Sequence, residues 1–336
     1  MAIRPRIQLL STGGTISGVG RTATETTYEY GQIDACDLVA TVDGLNHIAD
    51  VQAETLFEVG SENLGPVQWF KLANRIEELT ASDEVDGVVV THGTDTLEEA
   101  AFFLDLVCRP KKPVALTAAM RPATALSADG PANLYQAVLA ISTLKLQGPE
   151  IFVVMNGQVI PGWQVIKTDS VALSSFCAYP GGAVGQIVDS NLLANGGPGS
   201  SPIAGQFHDV LRKGLELPNV DIISLRGGCG NRPILSWNGT DCKGLVIAGF
   251  GAGTMPDSLA TKIAEISRSG CVVVVSSRLS RVIVLSDTMT PGESDEIIPS
   301  GFLNPQKSAL LLCLALAVGL NGSDIAKLFS NFSSNL

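Results

Sequence analysis

The sequence predicts an α/β protein of two domains, a larger N-terminal one built on a parallel-type sheet with a flexible flap and a smaller C-terminal one. Three observations carry this. Short apolar runs of strand length alternate with stretches of helical periodicity, the pattern of a parallel sheet covered by helices. The chain has 336 residues, which suits one large or two ordinary domains. The alternation is interrupted at Asn195-Gly196-Gly197-Pro198-Gly199-Ser200-Ser201-Pro202, where turn formers crowd together and a linker reaching about Pro218 is expected. The expected domains are therefore 1–194 and 219–336, joined by 195–218.

Taken in order, Ile7-Gln8-Leu9-Leu10 reads as a buried strand that runs into Ser11-Thr12-Gly13-Gly14-Thr15-Ile16-Ser17-Gly18. Residues 18–31 are rich in Gly, Thr and Glu, include Tyr28 and Tyr30, show no clear period and read as a mobile flap. A short helix is expected from Ala35 to Val39 and a strand from Val51 to Val59, ending at Gly60-Ser61-Glu62-Asn63. Val67, Phe70, Leu72, Ile76 and Leu79 fall at helical spacing, with Pro66 at the permitted first position. Val85–Val90 is strand-like and leads to Thr91-His92-Gly93-Thr94-Asp95-Thr96. A helix follows to Val107, with Glu98 and Glu99 in its first turn, where they complement the helix dipole. Strand 113–118, a helix over about 131–145 and strand 151–155 complete the first domain. In the second, strands are expected at 220–225, 245–248 and 272–275. Helices are expected at 257–269 and 305–320, the last capped by Asn304.

Composition narrows the function. Apolar residues make up 45% and charged residues 16%, as in a globular protein with a large core. The net charge is −11 and no basic cluster exists, which argues against nucleic acid and against anionic membrane surfaces. The longest apolar run, Ala309–Val318, falls short of the roughly 20 residues of a membrane span. Seven dispersed cysteines, none at C-x-x-C spacing, read as reduced, mostly buried thiols rather than a disulfide frame or a zinc site. The first residues enter a strand without a separate apolar signal segment. Both points suggest the cytoplasm, although a mature exported form with an added Met reads the same way.

Two strands thus end in hydroxyl-rich, Gly-containing loops. Loops at the carboxyl ends of neighbouring parallel strands share one crevice, where ligands bind. A hydroxyl beside bare backbone N–H groups supplies a nucleophile and an oxyanion site, the needs of acyl transfer. Either loop alone reads equally well as a tight strand–helix connection; the pair favours chemistry. Gly13-Gly14-x-x-x-Gly18 matches neither G-x-G-x-x-G nor a P-loop, so a nucleotide-binding module is rejected.

Thr12-Gly13-Gly14-Thr15-Ile16 and Thr91-His92-Gly93-Thr94-Asp95-Thr96-Leu97-Glu98-Glu99 resemble the two signatures of bacterial-type L-asparaginases, glutaminase-asparaginases included. The resemblance continues through Gly60–Asn63, Ala119-Met120-Arg121-Pro122, Ser127–Pro131, Val153–Asn156 and Leu303–Lys307, and covers nearly the whole chain. It implies hydrolysis of L-asparagine to L-aspartate and ammonia through an acyl-enzyme, with L-glutamine as a secondary substrate and no cofactor or metal. It implies Thr15 as nucleophile, Tyr28 of the flap as its proton acceptor, and Thr94, Asp95 and Lys167 as a second group able to lower a hydroxyl pKa. Read without the family, Thr94 and Asp95 would be helix caps, Tyr28 a loop anchor and Lys167 a surface lysine. Ser61, Glu62 and Asp95 suit the α-carboxylate and α-ammonium of an amino acid. Glu62, where many asparaginases have Gln, resembles the branch with more glutaminase activity. Thr254 falls where relatives carry Asn or Ser. Glu293, with Glu296 as the alternative, matches an acid supplied by a neighbouring subunit, so a homotetramer of two close dimers is expected. Some exported relatives carry a disulfide with one arm near Cys108; the other arm falls near Ser82, where there is no cysteine. His47, His92 and His208 are expected to be structural. The alternative function is the asparaginase-like subunit of a tRNA-dependent amidotransferase. Such subunits usually carry an extra N-terminal domain, and the acidic charge here offers no surface for tRNA.

Overall fold

The computed structural model describes residues 4–24, 27–143, 150–196, 199–230, 232–237, 239, 241–289 and 297–333. They fall into two compact units, Met1–Leu211 and Arg212–Leu336. In the first, the run expected at Ile7–Leu10 becomes β1 (Arg6–Gly13), and the flap carries the short hairpin strands β2 (Val19–Gly20) and β3 (Tyr28–Glu29). There follow α1 (Ala35–Ala40), α2 (Leu45–Ile48), β4 (Asp50–Val59), α3 (Pro66–Ala81), β5 (Gly87–Thr91), α4 (Leu97–Val107), β6 (Val114–Thr117), α5 (Gly130–Thr143) and β7 (Ile151–Met155). The helix expected to reach residue 145 ends, within the described residues, at Thr143.

Strands β4, β1, β5, β6 and β7 lie side by side in that order, all parallel. Every residue of β5 and β6 is buried, which is why these strands read as unbroken apolar runs. On one face Ile7, Leu9, Val89, Ala115 and Phe152 pack under Leu134, Ala137, Val138 and Ile141 of α5. In α3 and α4, Trp69 and Phe70 both meet the Phe103 ring, at centroid distances of 5.6 and 5.3 Å. Arg75 of α3 reaches Glu54 of β4 through two nitrogens, at 3.0 and 2.7 Å.

The sequence shows no elements between Met155 and the expected linker, but the chain there is strand-rich. β8 (Gln158–Pro161), β11 (Gly185–Val188) and β12 (Asn191–Ala194) extend the sheet antiparallel beyond β7, giving eight strands. β9 (Val165–Lys167) and β10 (Phe176–Ala178) form a two-stranded sheet of their own. A short helix, α6 (His208–Lys213), lies inside the segment read as linker.

The second unit has β13 (Asn219–Ser224), α7 (Arg232–Leu235), β14 (Cys242–Gly249), α8 (Asp257–Arg268), β15 (Val272–Ser277), β16 (Ile297–Pro299), α9 (Pro305–Ala317) and α10 (Gly322–Ser330). Its four strands are parallel in the order β13-β14-β15-β16. Asn304 caps α9 as expected, its side chain accepting from Lys307 N–H at 3.0 Å. Among the described residues no helix is long and apolar enough to cross a membrane.

β1 sits between β4 and β5, so the chain leaves it on one side and crosses to the other. This is a switch point, where the loops after three strands converge. The convergence is tight. Gly14 has φ +82° and ψ −172°, a region reserved for glycine, and a Cβ there would lie 2.4 Å from Gly93 Cα. A Cβ on Gly93 would in turn lie 2.6 Å from Ser61 Oγ. Gly14→Ala should therefore cost about 3 kcal/mol or more, with Tm falling by roughly 5 °C or more. Gly182→Ala, with open space around it, serves as the neutral control. A Gly14→Ala protein that melts with the wild type would contradict the contact.

His92, at the end of β5, is fully buried. Its Nδ1 lies 2.8 Å from Gly93 O and its Nε2 has no partner among the described residues. Desolvation pushes its pKa down to about 4, against the opposing pull of the Gly93 carbonyl. An unfolded histidine protonates near 6.5. As pH falls from about 6.5 to about 4, the unfolded chain therefore binds a proton that the folded chain refuses. Stability declines over that window, by roughly 3 kcal/mol at its acid end. Urea midpoints of wild type and His92→Gln, measured across this range, should converge toward low pH. Parallel curves would show that the ring does not stay neutral.

Candidate active site

The first loop leaves β1 through Gly13 and Gly14 and turns once as a 3₁₀ segment, Thr15–Ser17, closed by Gly18 N–H to Thr15 O at 2.9 Å. Gly14 N–H donates to Val59 O at 3.0 Å, and Thr12 Oγ1 donates to Thr91 O at 3.0 Å. This loop is thus tied to the ends of both neighbouring strands. Thr15 is 5% exposed. Its Oγ1 lies 2.6 Å from Tyr28 Oη, a distance at which either oxygen can donate.

The flap brings Tyr28 there. Ser17 O accepts from Gln32 and Ile33 N–H at 3.0 and 3.2 Å, which closes the loop. Ala123 N–H donates to Gly18 O at 3.0 Å, and Gly20 N–H to Thr124 Oγ1 at 2.8 Å, which ties it to the segment after β6. The Tyr28 ring packs against Gly18 and meets Tyr30 edge-on at 5.2 Å. Burial, then Tyr28, then Glu62 push the Tyr30 phenol up to about 12, with Asp95 adding to the effect. Tyr30 thus faces the residues singled out by sequence, although its own role was not read there. The signal was its spacing, two residues from Tyr28 and directly after the end of β3.

The second loop carries Thr94, 7% exposed, and Asp95, whose side chain is 61% exposed. Lys167, the last residue of β9, donates from Nζ to Thr94 Oγ1 at 3.0 Å and to Asp95 Oδ1 at 2.7 Å. Its backbone N–H donates to Glu98 Oε2 at 2.6 Å. Thr94 and Asp95 do not cap α4 through their side chains. Ser61 Oγ accepts from Asp95 N–H at 3.1 Å and Thr96 N–H at 3.3 Å, while Thr96 Oγ1 donates to Ser61 O at 2.9 Å. A serine hydroxyl has two lone pairs and one proton, so these two bonds occupy both lone pairs. Glu62, beside it, is exposed and accepts from Asn63 Nδ2 at 3.1 Å.

The structure therefore gathers Thr15, Tyr28, Ser61, Glu62, Thr94, Asp95 and Lys167 around the ends of β1, β4 and β5. Thr254 belongs to the second unit, in the turn after β14, where it pairs with Phe250 and its hydroxyl donates to Phe250 O at 3.3 Å. Glu293 and Glu296 lie outside the described residues. Among the described residues no group of three or more His, Cys, Asp or Glu side chains is arranged to hold a metal ion.

Comparison with known proteins fits this picture along the chain. Residues 6–197 match the family model described as Asparaginase, N-terminal, and residues 219–329 match the Glutaminase/Asparaginase C-terminal domain. L-asparaginase 2 of Escherichia coli is 35% identical, over 98% of this chain and 93% of its own. A glutaminase-asparaginase of Pseudomonas fluorescens is 31% identical, over 96% of this chain and 89% of its own. A probable cytoplasmic L-asparaginase from Campylobacter jejuni superposes with a TM-score of 0.87 at 34% identity, over 98% of this chain and all of that one. Matched in both halves and over nearly its full length, the chain belongs to the asparaginase family.

Proposed function

We propose that this chain hydrolyses the side-chain amide of L-asparagine to L-aspartate and ammonia, with L-glutamine as a secondary substrate, and that Thr15 is the nucleophile. The observation that carries the reading is the pairing of two buried threonines with polar partners at adjacent strand ends: Thr15 with Tyr28 at 2.6 Å and Thr94 with Lys167 at 3.0 Å. In this reading Thr15 Oγ attacks the amide carbon while Tyr28 takes its proton. Tyr28 passes a proton on to the amide nitrogen, and the tetrahedral intermediate then expels ammonia and leaves an ester on Thr15. Water activated at Thr94, whose hydroxyl is polarised by the Lys167 ammonium, hydrolyses the ester and restores Thr15. Ser61 donates its proton to the substrate α-carboxylate, and Glu62 and Asp95 receive the α-ammonium. Thr254 is proposed as a further substrate-binding residue. We infer domain limits of 1–194 and 219–336 with a linker at 195–218, inside which the two compact units divide. None of the seven cysteines, all among the described residues, forms a disulfide, which suits a cytoplasmic home.

The first test is kinetic. Thr15→Ala should fold and lose activity by several orders of magnitude. Thr94→Val should lower kcat more than it raises KM, because its partner interaction acts on proton transfer. Near-normal turnover by Thr15→Ala removes the nucleophile assignment; a change confined to KM makes Thr94 a binding residue.

We also infer a homotetramer of two close dimers, in which Glu293 or Glu296 completes the site of a neighbouring subunit. Each copy of a symmetric pair would offer this stretch of chain to the other. Thr15→Ala and Glu293→Ala, each inactive alone, should regain part of the activity when mixed under subunit exchange, since some sites then hold both native residues. No recovery despite proven exchange counts against the shared site, and a monomer in sedimentation at micromolar concentration ends the idea.

A further inference from the structure

We propose that Glu98 is a positioning residue for Lys167; the inference rests on the reading of Thr94 and Lys167 given above. Lys167 ends β9, which pairs with β10 in a sheet separate from the eight-stranded one. Strand pairing with the main sheet therefore does not set where its ammonium falls. The stretch that leads into α4 meets it from the main body. Thr94 and Asp95 hold the ammonium at 3.0 and 2.7 Å. Glu98, one helical turn further on, takes the same residue's backbone N–H at 2.6 Å. The lysine is held at both ends by groups three and four residues apart, so its ammonium and its backbone are fixed by one stretch of chain.

The carboxylate suits this task. Glu98 is 8% exposed, and a buried carboxylate is costly unless hydrogen-bonded. It sits in the first turn of an eleven-residue helix, where the helix dipole favours its charge. A short bond from a backbone N–H to an ionised oxygen is among the stronger kinds. Complementing the dipole, the role read from sequence, needs no burial; neighbouring Glu99 is in the same turn and only partly buried. With the backbone bond lost, Lys167 could drift, and a misplacement near 1 Å at a proton-transfer group costs on the order of a hundredfold in rate.

The experiment measures kcat, KM and Tm for wild type, Glu98→Ala, Glu98→Gln, Lys167→Met and the double variant Glu98→Ala/Lys167→Met. Glu98→Ala should lower kcat roughly ten- to a hundredfold with KM nearly unchanged. Glu98→Gln still offers an oxygen to the Lys167 N–H and should recover most of the loss. In the double variant, removing Glu98 should add little to the loss from Lys167→Met, because the two act through one group. If Glu98→Ala fails to fold, Glu98→Asp, one methylene too short, should show the same kcat loss. A lower Tm with kcat intact, or losses that multiply in the double variant, would overturn the proposal. If Lys167→Met itself turns over normally, the Thr94–Lys167 reading has failed instead.

Discussion

The contact between Gly14, Gly93 and Ser61 governs the geometry of the whole site. The loops after β1, β5 and β4 approach so closely that neither glycine has room for a Cβ. Backbone against backbone is a stiff contact, with no rotamers to relax through. Because Gly14 is fixed, Thr15 begins its 3₁₀ turn at a fixed point. Because Gly93 is fixed against Ser61, the Ser61 hydroxyl reaches the N–H groups of Asp95 and Thr96, and this sets the direction in which Thr94 and Asp95 leave the strand. The parallel register of β1 with both neighbours supplies the frame, and the glycines let the frame close.

Burial divides the site into two chemical environments. Thr15, Thr94 and Ser61 are at most 7% exposed, and the Lys167 side chain 17%. The Asp95 side chain is 61% exposed, and Glu62 is open to water. Charge acts strongly where water is excluded, so the Lys167 ammonium polarises the Thr94 hydroxyl more than it could at the surface. The carboxylates proposed to meet the substrate ammonium stand at the wet edge, where a small amino acid can reach them.

What the sequence made legible follows from locality. β1, β5, β6, β7, β14 and β15 are buried runs that declare themselves by composition, and α3, α8 and α9 by period and cap. β8 to β12 were not seen. They are three or four residues long, and stretches such as Gly185–Val188 alternate buried and exposed over too few positions to stand out. α6 was missed because six residues in a turn-rich segment carry little period. At the site, the two loops and their threonines were legible because each follows a visible strand. The capping of the α4 entrance by Ser61, thirty-four and thirty-five residues away, and the reach of Glu98 to Lys167, sixty-nine residues away, were not. Such pairings depend on strand order, which local pattern does not encode. Glu98 was read only for its place near a helix N-terminus, since sequence gives the position of a carboxylate but not its partner.

The central claim is that Thr15, rather than Thr94, bonds to the substrate. Rapid acid quench of the enzyme during turnover of radiolabelled asparagine, followed by proteolysis and peptide mapping, addresses it directly. The account predicts label on the peptide that contains Thr15, absent from Thr15→Ala and increased in Thr94→Val, where hydrolysis of the ester is slowed. Label on the Thr94 peptide, or turnover without covalent label when deacylation has been slowed, would contradict it.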